Sequence, residues 1–129
     1  MTTYKRHVLL NVMAELYPGS PVAFGNTYAS IILYPLGTPL VPEQTIQDKY
    51  AIITLKWDLG TFKKERMRRL LATDIYGLAD YPFSSAESKQ AWLAYRQALR
   101  DITSLYPHPV TDDQDKLIGI EWPVAPVVV

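Results

Sequence analysis

The chain has 129 residues, a length that fits one domain or one small domain with an appended helical hairpin. Apolar residues make up 48% of it and charged residues 20%, which argues against intrinsic disorder. Basic and acidic residues number 13 each, so no domain-wide field would attract nucleic acid or an anionic membrane. There is no cysteine, which excludes a disulfide framework and thiolate chemistry.

The N-terminal segment has neither the features of a signal peptide nor those of a membrane anchor. Residues 1–7 lead into an apolar stretch that Asn11 and Glu15 interrupt, and no small-residue cleavage pattern follows. No run in the chain approaches the roughly 20 apolar residues that span a bilayer. We therefore expect a soluble, non-secreted protein that is used in the cytoplasm.

The first predicted element is an amphipathic helix from Tyr4 to Tyr17. Its apolar residues recur with the spacing of one helical face, at Leu9, Val12, Met13, Leu16 and Tyr17. The sequence Pro-Gly-Ser-Pro at residues 18–21 then ends the helix, because glycine accepts the turn and proline cannot continue the hydrogen bonds.

The next segment predicts a β-hairpin. Residues 22–24 and 27–34 are rich in β-branched and aromatic side chains, and a Gly-Asn turn signal separates them. Alternation along the second run places Ile31 and Leu33 on one face and Ile32 and Tyr34 on the other. Because both faces are apolar, we expect a helix to cover one of them and a partner or neighbouring subunit the other.

Two helices are predicted after the loop that ends at Pro42. The first is indicated by helical spacing of Ile46, Tyr50, Ile53 and Trp57, although β-branched residues leave a strand open over 50–56. The second follows Gly60 and covers residues 62–71. We accordingly predict a small α/β domain at residues 1–60 and a helical region at 61–129.

The clearest predicted helix begins at Ser84-Ser85-Ala86-Glu87, which matches a capping box. Its apolar face carries Trp92, Tyr95, Leu99 and Ile102. The chain then ends in an apolar tail over residues 123–129, whose prolines exclude a central strand. That tail either folds back over the preceding helix or contacts a partner, since free exposure would favour aggregation.

No pattern in the sequence points to catalysis, a metal site or a cofactor. His7 and His108 stand far apart in the sequence, and the acidic turn at residues 112–115 lacks the glycine and glutamate of a calcium loop. No glycine-rich phosphate loop occurs. The basic run at residues 63–69 is typical of a solvated helix face, with an acidic protein surface or nucleic acid as less favoured readings. We therefore expect a protein that binds another protein, without catalytic, metal or cofactor sites.

The second half of the chain carries motifs of a known family. Residues 69–74 and the Asp-Tyr-Pro at 80–82 precede W-x-x-YR-x-x-LRD, which begins at Trp92, and WP-x-x-P, which begins at Trp122. This set resembles the phage tail assembly chaperone family and, more loosely, the tail-fibre assembly proteins.

The resemblance implies a non-enzymatic chaperone that binds a phage tail-fibre protein, at its C-terminal region, in the host cytoplasm. Such a protein would help the fibre to fold and trimerise, and a homo-oligomer could match the fibre trimer. The alternative is a structural tail or baseplate component that stays in the virion. We expect an α+β fold, with an N-terminal helix on a small antiparallel hairpin, a helical C-terminal segment and an extended Pro-rich tail.

We assign two groups of residues, one to contact with the partner and one to a structural motif. Contact with the partner is assigned first to the tail and second to the outer hairpin face, at Trp122, Pro123, Val124, Pro126, Val127, Ile32 and Tyr34. A structural motif is assigned to Trp92, Tyr95, Arg96, Leu99, Arg100 and Asp101. Within it, the aromatic residues, Leu99 and Trp122 are expected to hold the C-terminal region together, while the charged residues orient the preceding turn or face the partner.

Overall fold

The structure, a computed structural model, describes residues 1–127 and has the predicted α+β composition. The chain forms two compact units, which we call unit 1, Met1–Trp57, and unit 2, Asp58–Val129. Short 3-10 helices occur at Tyr28–Ser30 and Asp74–Gly77. The remaining elements are α1 (Arg6–Leu16), β1 (Val22–Ala23), β2 (Ile32–Leu33), α2 (Glu43–Leu71), α3 (Ala86–Leu105), β3 (Val110–Thr111) and β4 (Leu117–Ile118).

Helix α1 supplies much of the core of unit 1. Its predicted apolar stripe is confirmed, since Leu9, Val12 and Met13 are fully buried. The helix begins at Arg6, two residues later than predicted, because the Tyr4 amide donates a hydrogen bond to the Asn26 carbonyl (2.7 Å) in an extended conformation. The cluster consists of Tyr4, Val8, Leu9, Val12, Met13, Ile31, Leu33, Ile46 and Ile53.

The predicted hairpin exists, but it is much shorter than the sequence suggests. Strands β1 and β2 pair antiparallel over two residues each, and a 3-10 helix replaces the start of the second predicted strand. Ser30 causes the difference, because its hydroxyl donates to the Thr27 carbonyl (2.6 Å) and accepts from the Gly25 amide (2.8 Å). These local bonds compete with strand pairing.

The second and third predicted helices are one continuous helix, α2, so the predicted break at Gly60 is wrong and residues 50–56 are helical. A glycine inside a helix costs about 1 kcal/mol relative to alanine. Asp58 and Phe62, four residues apart and therefore on the same face, are both buried. Their packing outweighs the local cost at Gly60.

Helix α3 is capped by Ser85 rather than by the predicted Ser84. The Ser85 hydroxyl accepts a hydrogen bond from the Ser88 amide (3.0 Å), which places Ser88 and not Glu87 at the third helical position. The predicted capping box is therefore shifted by one residue and becomes a single serine cap. The predicted apolar face is confirmed, with all four of its residues buried.

We expect Ser85→Ala to lower the free energy of unfolding by about 1 kcal/mol, because the substitution removes the cap of α3. The matched control is Ser84→Ala at the neighbouring exposed serine, with an expected change below about 0.5 kcal/mol. Urea unfolding followed by circular dichroism gives both values. A larger loss in the Ser84 variant would assign the cap to the residue that the sequence favoured.

Strands β3 and β4 form the second antiparallel pair, in unit 2, with Val110 opposite Ile118 and Thr111 opposite Leu117. The Thr111 hydroxyl donates to the buried Asp58 carboxylate (2.8 Å) and so links this hairpin to α2. Within residues 1–127, no helix combines the length and the apolar character that a membrane crossing requires.

Candidate partner-binding surface

Trp122, the first residue assigned to partner contact in the tail, packs against the rest of unit 2. Its ring packs edge-on against fully buried Phe62, with 5.5 Å between ring centroids, and the Arg69 guanidinium lies 4.3 Å from its centroid. The Tyr106 hydroxyl accepts a hydrogen bond from the Glu121 amide (3.1 Å), immediately before the tryptophan. Trp122 is therefore a half-buried structural anchor of unit 2, with only part of its ring available to a partner.

Beyond Trp122 the tail presents apolar side chains to solvent. Val124 is 89% exposed and Val127 is 98% exposed, whereas Pro123 and Pro126 are half-buried. The tail thus folds back at its tryptophan, while contact between its exposed valines and a partner stays a prediction. The last two valines of the predicted tail lie outside the described residues.

Glu65 connects two arginines beneath this anchor. Arg68 donates to both carboxylate oxygens (2.7 and 2.9 Å), and Arg69 donates to Oε1 (3.0 Å). The bond from Arg68 holds the pKa of Glu65 below its ordinary value; partial burial opposes this shift and the bond from Arg69 adds to it. Because Arg69 also covers the Trp122 ring, the carboxylate orients the cation that supports the anchor.

We expect Glu65→Gln to lower the free energy of unfolding at pH 7 by about 1 kcal/mol or less, since the Arg68 partner is largely exposed. The pKa of the folded state is depressed, so the pairing stabilises the fold above the ordinary value of 4.5 and is lost as pH falls through the folded-state pKa. Urea unfolding at neutral and acid pH should therefore show the difference from wild type disappearing in acid. A difference that persists in acid, or one matched by Asp113→Asn at an exposed position of the β3–β4 turn, would contradict this account.

An open cleft of about 470 Å³ lies beside the anchor in unit 2. Trp122 and Leu117 contribute its apolar surface. Polar and charged residues complete the lining: Thr61, Lys64, Glu65, Arg68, Asp115 and Lys116. Sequence reasoning missed this cleft because its residues come from α2, the β3–β4 turn and the tail.

Of the three charged residues in the predicted structural motif on α3, only Arg96 is buried. Arg96 is buried, and its guanidinium donates to the Leu70 carbonyl (2.9 Å), the Thr73 hydroxyl (3.0 Å) and the Asp74 carboxylate (2.8 Å). It therefore holds the turn between α2 and α3. Close packing extends to Gly77, where an added Cβ would lie 3.3 Å from the Arg96 Nε.

The other two charged residues of the motif lie on the exposed face of α3. The Arg100 side chain is exposed, and its backbone carbonyl accepts a bond from Arg66 (3.3 Å). Asp101 is also exposed and accepts from Gln97 (3.0 Å) one turn earlier. The contacts described here for Arg100 and Asp101 do not reach the turn that Arg96 holds, and the assignment of these two side chains to a partner stays a prediction.

Trp92, Tyr95 and Leu99 form the second buried cluster of the protein. Tyr76 stacks on Trp92, with centroids 4.1 Å apart and ring planes 26° apart. Leu70, Phe83 and Trp122 also pack against the cluster. Sequence analysis did not assign Tyr76 or Phe83, because the segment from 74 to 83 shows no regular apolar period.

The second predicted contact region is the outer hairpin face of unit 1. Ile31 and Leu33 are buried in the core, whereas Ile32 is 44% exposed and Tyr34 is 42% exposed. The predicted alternation of faces is therefore confirmed. Whether a partner covers the outer face stays a prediction.

Asp112, in the acidic turn considered for a metal site, has a structural role. The Asp112 carboxylate accepts bonds from the Gln114 and Lys116 amides (2.9 Å each), which forms the turn between β3 and β4. His7 lies 5.0 Å from the Trp57 ring in unit 1, and His108 is exposed in unit 2. Among residues 1–127, no group of three or more histidine, aspartate or glutamate side chains is placed to hold a metal ion.

Comparison with known proteins identifies a family. The family model described as phage tail assembly chaperone protein matches residues 59–127, which is more than half of the chain. No curated protein and no solved structure matches. The matched residues include the anchor, the cleft, the Arg96 contacts and the described part of the tail, so the chain belongs to the phage tail assembly chaperone family.

Proposed function

We propose that this protein is a tail-fibre assembly chaperone that acts in the host cytoplasm during phage assembly. It binds the C-terminal region of the fibre protein and assists its folding and trimerisation without catalysis. The observation that carries the proposal is the tail after Trp122, where Val124 and Val127 are almost fully exposed on a fixed base. Membership of the tail assembly chaperone family supports a tail protein as the partner.

The physical need for such a partner follows from how fibres fold. Unassembled β-structures expose strand edges and apolar surfaces, which associate wrongly before trimerisation is complete. A tail with exposed valines provides apolar contact area, and its two described prolines limit the conformational entropy lost on binding. The exposed face of Ile32 and Tyr34 is a second apolar surface that we assign to the same partner.

Co-expression with the fibre protein tests the proposal. We expect the fibre to become soluble only when this chain is present, and a defined complex to elute in size exclusion with mass determination. Its stoichiometry would show whether the chaperone matches the fibre trimer. A fibre that is soluble alone and elutes separately would contradict the proposal, as would a stoichiometric amount of this chain in purified virions without an effect on fibre solubility.

Deletion of residues 123–129 should abolish capture of the fibre and leave the protein folded. Trp122 and its contacts with Phe62 and Arg69 remain in the truncated chain, so we expect unit 2 to keep its core. Circular dichroism and thermal unfolding measure folding, and co-purification measures capture. A folded truncation that still captures the fibre would remove the tail from the binding surface, and an unfolded one would make the tail part of the core.

A matched substitution isolates the contribution of side chains. Val124→Ser with Val127→Ser keeps both prolines and the length of the tail while it removes exposed apolar area. Ile32→Ser tests the hairpin face separately in unit 1. We expect the double valine variant to weaken capture more strongly than the isoleucine variant does.

A further inference from the structure

The cleft beside Trp122 combines an apolar surface with unpaired positive charge. Trp122 and Leu117 provide the apolar contact area, and the lining carries Lys64 and Lys116 as cations, whereas Arg68 is paired with Glu65. The cleft is open to solvent, and its volume of about 470 Å³ is similar in size to sites that bind small ligands.

The acidic groups of the cleft neutralise some of its cations but not others. Glu65 is engaged by Arg68 and Arg69, whose three hydrogen bonds occupy both of its oxygens. Asp115 is the second acid of the lining. In the described part of the chain, neither Lys64 nor Lys116 forms an ion pair with a carboxylate. The surface is therefore complementary to a negatively charged ligand.

The apolar part of the cleft is already held in place. Phe62 and Arg69 pack on the Trp122 ring from α2, and Glu65 orients Arg69 through a 3.0 Å bond. A ligand side chain that contacts Trp122 therefore does not have to order the ring first. Such preorganisation lowers the entropic penalty of binding.

We propose that this cleft binds a short acidic segment of the tail protein, with an apolar side chain against Trp122 and Leu117 and flanking carboxylates at Lys64 and Lys116. The inference rests on the proposed function, because it names the chemistry of the partner segment. A nucleic-acid strand fits less well, because Arg69 already covers the Trp122 ring, where a base would have to stack.

Fluorescence polarisation with the full chain tests the cleft directly. The probe is a labelled synthetic peptide with a central leucine between aspartates, compared with the same peptide carrying asparagines and with a short single-stranded oligonucleotide. We expect only the aspartate peptide to bind, with an affinity that falls as salt is raised because the pairing is electrostatic. Equal binding of the asparagine peptide, tighter binding of the oligonucleotide, or no binding of the aspartate peptide would overturn the proposal.

Charge reversal supplies the matched variants. Lys64→Glu with Lys116→Glu should weaken binding of the aspartate peptide by at least about tenfold. Lys63→Glu, an exposed neighbour outside the cleft, should change the affinity by less than about twofold. All three positions are exposed, so circular dichroism should show folded proteins. Unchanged affinity in the double variant would overturn the assignment of the lysines.

Capture of the fibre separates this inference from the proposed function. If the wild-type chain captures the fibre while the aspartate peptide does not bind, the cleft proposal fails and the chaperone function stands. If the peptide binds through the two lysines while the fibre is not captured, the fibre assignment fails and the acidic specificity of the cleft stands. Loss of both fibre capture and peptide binding in the double lysine variant supports both.

Discussion

Replacement of Phe62 by alanine is expected to lower the free energy of unfolding of unit 2 by about 3–5 kcal/mol. The ring is fully buried and packs edge-on against Trp122 and Tyr106, with centroids 5.5 and 6.1 Å apart. Truncation removes its buried surface and leaves a cavity between these rings. It also loosens the anchor of the tail, so fibre capture should weaken along with stability.

Urea unfolding followed by tryptophan fluorescence measures this effect. Met67→Ala on the same helix is the matched control, because its side chain is nearly half exposed and its loss should cost less than about 1 kcal/mol. Phe62→Leu keeps most of the buried volume and should cost less than the alanine variant. Equal destabilisation by the Phe62 and Met67 variants would show that Phe62 does not hold the anchor.

Replacement of Arg96 by methionine is expected to lower the free energy of unfolding by about 2–3 kcal/mol, the second largest effect. The substitution keeps an aliphatic side chain of similar length but removes the donor to the Leu70 carbonyl and the Thr73 hydroxyl. Most of the loss should come from these partly buried groups. The Asp74 carboxylate is more than half exposed, so its ion pair contributes little.

Two further variants identify the cause of this loss. Arg96→Lys retains the positive charge but lacks the planar fork that reaches several acceptors at once, so it should not restore full stability. Arg100→Met, one turn along α3, removes an exposed arginine and should be close to neutral. Thermal unfolding of the three proteins gives the order. Equal stability of the Arg96 and Arg100 variants would contradict a structural role for the buried guanidinium.

Elements with a regular apolar period could be predicted from the sequence. The apolar faces of α1 and α3 and the alternation of Ile31 and Ile32 on the hairpin follow from the helical and strand repeats, which depend only on neighbouring residues. The family could also be predicted from the motifs in the second half of the chain, and the match to the family model confirms that prediction. The predicted position of the α3 cap was wrong by one residue. Two serines are adjacent at the start of the helix, and only the backbone geometry selects Ser85 as the cap.

The candidate site could be predicted only in outline. The sequence singled out the tail, and an apolar terminus beginning at Trp122 needs no structure to be noticed. It did not show that Trp122 is an anchor while Val124 is exposed, because that difference depends on Phe62 and Arg69, which lie more than 50 residues earlier. The cleft was invisible for the same reason, since its surface is assembled from three separate segments.

By itself, the sequence determined the α+β class, the core faces of its helices and its family, because these depend on local periodicity and motif order. The tertiary structure alone decided that α2 continues through Gly60, since buried Asp58 and Phe62 outweigh the local propensity of glycine. It also decided that Arg96 is a buried donor, whose acceptors lie 22 to 26 residues away. Contacts over such distances form only when packing brings the segments together, and no local pattern encodes them.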